Sequence, residues 1–143
     1  MKIPFLEQLK LKCDCDIEEI DHLYIIGIYI IKNQGFFEAP RICINRRLPC
    51  YEKEGVLIHE IGHRRDHIRK GLELFSSNQH NILREVLAEL YTLHLLLKNK
   101  RKKAIESRFS SYKEHWYKSP HKEALKIIES RRIYKRCIEF VEN

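Results

Sequence analysis

Several features are missing from this sequence, and each absence removes a class of protein. It has no run of about 18 apolar residues, so no segment is expected to span a membrane. Residues 1–16 contain neither a long apolar segment nor a small-residue cleavage site, so they are not expected to act as a secretory signal. Internal repeats and low-complexity linkers are also missing. The 143 residues, 43% of them hydrophobic, therefore favour one domain over residues 1–143.

The five cysteines lack the spacing of the common cysteine motifs. Cys13 and Cys15 form C-x-C, whereas zinc ribbons and redox proteins use C-x-x-C, and the total number is odd. Because no export signal is evident, we expect reduced thiols and a cytoplasmic location. A metal site at Cys13 and Cys15 is the alternative interpretation of this pair.

Acidic residues are scarce in the last third of the chain. Residues 98–143 contain 14 Lys+Arg and 6 Asp+Glu, a net charge of +8, whereas residues 1–97 contain 13 and 14. The whole positive excess therefore lies in residues 98–143. This asymmetry favours a segment that contacts an acidic partner or nucleic acid, with a solvated helical face as the alternative.

Two stretches are typical of β-strands. Residues 23–31, LYIIGIYII, are β-branched and aromatic, as expected for a buried strand. Residues 41–45, RICIN, alternate between polar and apolar and lie between Pro40 and Pro49, which favours a short edge strand. Turn residues at 33–35 separate the two stretches, so we expect a small antiparallel sheet.

The rest of the chain shows helical periodicity in five segments. They are residues 5–12, about 51–70, about 79–100, about 104–117 and a last helix from about residue 120. Capping residues support three boundaries: Gly71 ends the second helix, residues 76–78 begin the third, and Ser119–Pro120 begins the last. The predicted fold class is α+β, with a small antiparallel β-sheet followed by helices.

The residues best suited to chemistry form HEIGH, residues 59–63. Residues four apart lie one turn apart on a helix, so His59 and His63 can direct ring nitrogens at one metal ion. Glu60 lies about 100° around the helix from His59. It can therefore border the metal without binding it and act as a general base toward water.

A hydrolytic zinc site needs a third protein ligand and an open position. His67 continues the spacing of four, but it lies about 12 Å along the helix axis from His59, too far to share one ion. The next helix carries Glu85 and Glu89 among apolar residues, where an acidic side chain is costly unless it is paired or binds metal. One of them can be the ligand while the other holds a ligand histidine by its second nitrogen. Two solvent-facing glutamates are the alternative.

HEIGH followed by a glutamate on the next long helix resembles the gluzincin metallopeptidases. Residues 85–89, EVLAE, are similar to their E-x-x-A-D or E-x-x-A-N pattern except at the last position. More narrowly, RICINRRLPCYEKEGVLIHEIGH resembles the ImmA/IrrE family of HExxH zinc metallopeptidases, with minimal archaeal-type gluzincins as the alternative. The resemblance covers about residues 23–97. No helix-turn-helix segment is evident upstream of it.

The resemblance implies a small intracellular zinc-dependent endopeptidase that cleaves a specific protein partner. It implies Zn²⁺ bound by His59, His63 and Glu85, with Glu60 as the catalytic base and Glu89 as a residue that orients a ligand. Residues 1–97 form the implied catalytic core. Residues 98–143 match no family and are interpreted as a basic helical C-terminal extension.

Several further roles remain open for this implied peptidase. The strand RICIN can hold an extended substrate by strand addition, or it is simply a sheet edge. The candidates for a group that stabilises the oxyanion are His94, Tyr91, His115 and Tyr117. Two other functions remain: a DNA-associated protein whose extension contacts nucleic acid, and a latent protein whose extension covers the cleft.

Overall fold

The computed structural model describes residues 3–21, 27–30, 41–70, 81–117 and 121–143, most of them helical. The strands are β1 (Asp16–Ile20), β2 (Gly27–Ile30) and β3 (Arg41–Asn45). The helices are α1 (Phe5–Lys12), α2 (Cys50–Lys70), α3 (Asn81–Lys98), α4 (Lys102–Ser111), α5 (Lys122–Glu129) and α6 (Arg132–Glu142), with a π-helical turn at Tyr112–Trp116 directly after α4. The fold class is α+β, as predicted. The predicted turn at 33–35 and the predicted caps Gly71, 76–78 and Ser119–Pro120 lie outside the described residues.

The sheet is mixed, with strand order β1–β3–β2. β3 runs antiparallel to β2 but parallel to β1, so the prediction of a purely antiparallel sheet is wrong. β3 is also the central strand, although RICIN was predicted at an edge. Its residues Ile42 to Asn45 are buried, because the strand is covered by a partner on each side and by α2.

Strand β1 was missed because its sequence, DIEEI, carries three acidic residues and no fully buried side chain. Basic groups on neighbouring elements compensate this charge. Glu19 accepts hydrogen bonds from Lys10 of α1, at 2.7 Å, and from Lys53 of α2. Ion pairs and pairing with β3 therefore hold β1 in the sheet without the burial pattern that identifies most strands.

The contact between α2 and α3 is the centre of the fold. Leu57 and Ile58 of α2 and Leu93 and Leu96 of α3 are completely buried. The helices approach closely at Gly62, where an added Cβ would lie 2.9 Å from the Cα of Ala88. Small residues on both helices therefore bring the HEIGH segment against α3.

The basic C-terminal segment packs into the same core. Its buried apolar residues are Ala104, Ile105, Tyr112, Trp116, Ala124, Ile128, Ile133 and Cys137. The single last helix that was predicted is divided, because Arg131 is extended, with φ −88° and ψ 148°, and separates α5 from α6. Within the described part of the chain, no helix is both long enough and apolar enough to cross a membrane.

Helix α3 is followed by a left-handed residue, Lys100, with φ 56°. The Arg101 N–H donates to the Leu96 carbonyl at 2.9 Å, and the Lys100 N–H donates to the Leu97 carbonyl at 3.0 Å. This is the hydrogen-bond pattern of a Schellman cap, in which glycine is the usual left-handed residue.

We expect Lys100→Gly to raise the free energy of unfolding by up to about 1 kcal/mol, because glycine adopts the left-handed conformation without Cβ strain. The gain is limited by the larger backbone entropy of glycine in the unfolded chain. Urea unfolding with an unchanged slope measures the effect. Lys100→Ala is the matched control, because it removes the charge but keeps the Cβ. Equal stabilisation by both variants would attribute the effect to charge and contradict the backbone explanation.

Candidate metal centre

Helices α2 and α3 bring His59, His63 and Glu85 together. The Nε2 atoms of His59 and His63 are 3.1 Å apart. The carboxylate oxygens of Glu85 lie 3.0 Å from Nε2 of His59 and 3.2 Å from Nε2 of His63. Three potential ligand atoms from two helices therefore point at one position.

These separations suit a single four-coordinate metal ion. Zinc bonds to histidine nitrogen and carboxylate oxygen are about 2.0–2.1 Å long, so two ligands of a tetrahedron lie about 3.3 Å apart. The observed separations of 3.0, 3.1 and 3.2 Å are close to this value. The three residues therefore form a group that can bind a metal ion.

Glu89 lies behind His59, on the side away from this group. Its Oε2 atom is 2.6 Å from Nδ1 of His59, and its side chain is completely buried. An ionised carboxylate only accepts hydrogen bonds, so Nδ1 of His59 donates and its Nε2 is directed at Glu85 and His63. Of the two glutamates that the sequence left open as ligands, Glu85 is grouped with His59 and His63, and Glu89 contacts the opposite ring nitrogen of His59.

Two residues of the C-terminal segment complete the environment of Glu89. Arg108 donates to both of its oxygens, from Nε at 2.7 Å and from Nη2 at 2.6 Å, and the Tyr112 hydroxyl donates to Oε1. Burial opposes the charge on Glu89, but Arg108 and His59 outweigh it and hold the pKa of Glu89 well below its usual range. The buried group is thus a compensated network, not an isolated charge.

Sequence analysis did not identify Arg108 or Tyr112 as site residues. The sequence did contain a sign that Arg108 is buried, because it falls on the same helical stripe as the apolar residues Ala104 and Ile105. A charge on a buried stripe needs a partner. The partner, Glu89, is 19 positions away in the sequence, and only the packing of α4 against α2 and α3 brings the two together.

The two glutamates also determine the charge of His59. Burial lowers the pKa of this histidine, but the hydrogen bonds that it donates to Glu85 and Glu89 outweigh burial and raise the pKa to about 10. The raised pKa favours the form of His59 in which both ring nitrogens carry a proton, the one on Nε2 being directed at Glu85. Metal binding has to release that proton, so the affinity for metal is expected to fall as the pH decreases.

Glu60 lies beside the cluster, in the wall of a cavity of about 260 Å³. Its side chain is buried, and burial raises its pKa above the ordinary value despite the neighbouring histidines. The cavity also has Gly27 and Val56 in its wall. The C-terminal segment contributes a wall of hydrogen-bond donors: Arg108, Ser111, His115, Trp116 and His121.

The four residues that were predicted as candidates for stabilising the oxyanion lie in three different cavities of the structure. Of these, only His115 lines this cavity. Tyr91 and His94 line a different groove, between α3 and α6, and Tyr117 lines a third groove on the C-terminal segment. The side chain of His67 lies outside the described residues.

His121 is a further cavity residue that sequence analysis did not consider. Its Nε2 atom is 3.9 Å from Oε2 of Glu85, and its ring packs against Trp116 with centroids 4.8 Å apart. It follows α4 and the π-helical turn in the sequence, where no spacing relates it to HEIGH. Its proximity to the cluster depends entirely on how the C-terminal segment folds back.

Comparisons of this chain with protein-family models, with curated proteins and with solved structures found no match. Function therefore has to be inferred from the residues of the site.

We expect His63→Ala and Glu85→Ala each to abolish tight zinc binding, because each removes one of three converging ligands. Glu89→Gln should weaken binding by roughly 10 to 100-fold, since it alters the partner of a ligand and leaves all three ligands in place. Zinc content after dialysis and competition with a chromophoric chelator measure both effects. His94→Ala is the matched histidine control and should retain zinc. A larger loss in Glu89→Gln than in Glu85→Ala would reverse the assigned roles.

Proposed function

We propose that this chain is a zinc-dependent endopeptidase similar to the ImmA/IrrE family, acting in the cytoplasm on a specific protein partner. One observation carries the proposal: the ligand atoms of His59, His63 and Glu85 converge beside a buried glutamate, Glu60, that lines a cavity. Two imidazoles and one carboxylate form the donor set of a catalytic zinc, with one position left for water or substrate.

In this mechanism Glu60 moves the proton. When bound, zinc supplies Lewis-acid polarisation of the scissile carbonyl and makes water a stronger acid. Glu60 takes the proton from the attacking water and delivers it to the amine that leaves as the peptide bond breaks. Its raised pKa suits the first step, because such a carboxylate accepts a proton more readily than an exposed one.

The substrate backbone is proposed to lie along β2. Within the described residues β2 pairs with β3 on one side only, whereas β3 is paired on both sides and has no edge to offer. β2 also approaches the helix that carries Glu60 directly: a Cβ at Gly27 would overlap Cγ1 of Val56 and would lie 3.4 Å from Cγ of Glu60. A peptide added to β2 as a strand would therefore pass close to Glu60.

We assign stabilisation of the oxyanion to His121. It lines the same cavity as Glu60, and its Nε2 atom lies 3.9 Å from Oε2 of Glu85. Its contact with buried Trp116 restricts the orientation of the ring. His115 also lines this cavity but is exposed, so it is the weaker candidate for a positioned donor.

Glu60→Gln is expected to retain zinc and lose hydrolysis by several orders of magnitude, because the amide keeps the shape of the side chain but cannot accept a proton from water. The measurement is the number of new peptide amino termini generated from a denatured protein mixture, with zinc content determined on the same samples. Glu106→Gln, an exposed glutamate of α4, is the matched control. Undiminished cleavage by Glu60→Gln would remove Glu60 from the mechanism.

His121→Ala should lower the rate of cleavage with zinc retained.

A second candidate function is contact with nucleic acid. Apart from Arg101 and Arg108, the described basic residues of 98–143 are exposed, and phosphates are what such a surface binds best. Retention on immobilised duplex DNA that falls steeply with salt would favour this function. Salt-independent retention, or none, would leave the basic residues as a solvated surface.

A further inference from the structure

A second cluster of metal-ligating side chains lies between α1 and β1. The Sγ atoms of Cys13 and Cys15 are 3.5 Å apart, and both residues are half-buried. One carboxylate oxygen of Asp14 and the two sulfurs all lie within 4.8 Å of one another. None of these residues lines the cavity beside Glu60.

The spacing of the two sulfurs suits a shared metal ion. A zinc–thiolate bond is about 2.3 Å long, so two sulfurs of a tetrahedral site lie about 3.8 Å apart. The observed 3.5 Å differs from this value by only a few tenths of an ångström. Two sulfurs joined in a disulfide would be about 2.05 Å apart, which requires a much larger movement.

Asp14 is held in place by the active-site helix. Arg64 of α2 donates to both of its oxygens, from Nε at 3.2 Å and from Nη2 at 3.3 Å. A carboxylate has about four acceptor positions, so Asp14 can accept these bonds and still bind a cation. Arg64 thus has the relation to Asp14 that Glu89 has to His59, a partner that orients a ligand.

The charges also balance around a divalent ion. Two thiolates and the Asp14 carboxylate would place three negative charges around two positive ones, and the Arg64 guanidinium supplies the remaining positive charge. Thiolates favour soft and borderline ions, such as zinc and cadmium, over magnesium or calcium.

We propose that Cys13, Asp14 and Cys15 form a second metal site for a thiophilic divalent ion, with Arg64 as a positioning residue. Arg64 directly follows His63 in α2. The ion pair between Arg64 and Asp14 therefore joins this second site to the helix that carries HEIGH. The two sites share no ligand.

Cadmium is the probe for this site, because cadmium–thiolate bonds give an ultraviolet charge-transfer absorption that histidine and carboxylate ligands do not. We expect reduced wild-type protein to develop this absorption and to saturate at one equivalent of thiolate-bound cadmium. Cys13→Ser and Cys15→Ser should each lose most of it. Cys50→Ser, which changes an exposed cysteine at the start of α2, is the matched control and should keep it.

Two further variants separate this site from the others. His63→Ala should keep the absorption, so that failure of the catalytic site and failure of this one are distinguishable. Arg64→Gln keeps all three ligands and should weaken cadmium binding by roughly 10 to 100-fold with the same final absorption. The proposal is overturned if reduced wild-type protein gives no absorption, or if Cys15→Ser leaves it unchanged. Formation of a Cys13–Cys15 disulfide without cadmium binding after reduction would also overturn it.

Discussion

The buried carboxylate of Glu89 has to be compensated, and this requirement constrains how several elements of the fold pack together. A buried carboxylate without partners costs several kcal/mol, so its neighbours have to compensate it. His59 of α2 and Tyr112 of the π-helical turn each donate one hydrogen bond to it, and Arg108 of α4 donates two. Three elements are therefore required to meet at one point on α3, and the orientation of the metal-ligand candidate His59 follows from that requirement.

The basic C-terminal segment is part of the core and of the candidate site. Its charge suggests an appendage with a partner of its own, yet one of its arginines, Arg108, is buried inside the core. Trp116 and His121 from the same segment form part of the cavity wall beside Glu60. The segment therefore contributes to the site itself, and its other basic residues form an exposed surface around that contribution.

Sequence patterns predicted the parts of the site that depend on local geometry. The spacing within HEIGH places His59 and His63 on one helix face, and the spacing of Glu85 and Glu89 lets the two acids contact opposite ring nitrogens of His59. Gly62 and Ala88, which allow the two helices to approach, lie within these same motifs. Short-range periodicity is sufficient to place each pair on one helix face, whereas the approach at Gly62 and Ala88 was not predicted, because it depends on the packing of two helices.

The parts that were missed depend on long-range packing. β1 is stabilised by Lys10 and Lys53, which belong to other elements, so its own residues show no strand pattern. The parallel pairing of β1 with β3 likewise depends on chain topology, which a turn signal does not contain. Arg108 and His121 reach the site only after the C-terminal helices fold back.

The most direct test of the account is the anomalous diffraction signal of zinc-loaded crystals at the zinc absorption edge. The account predicts a peak bounded by Nε2 of His59, Nε2 of His63 and the carboxylate of Glu85. The absence of density there in crystals of zinc-loaded protein would contradict it.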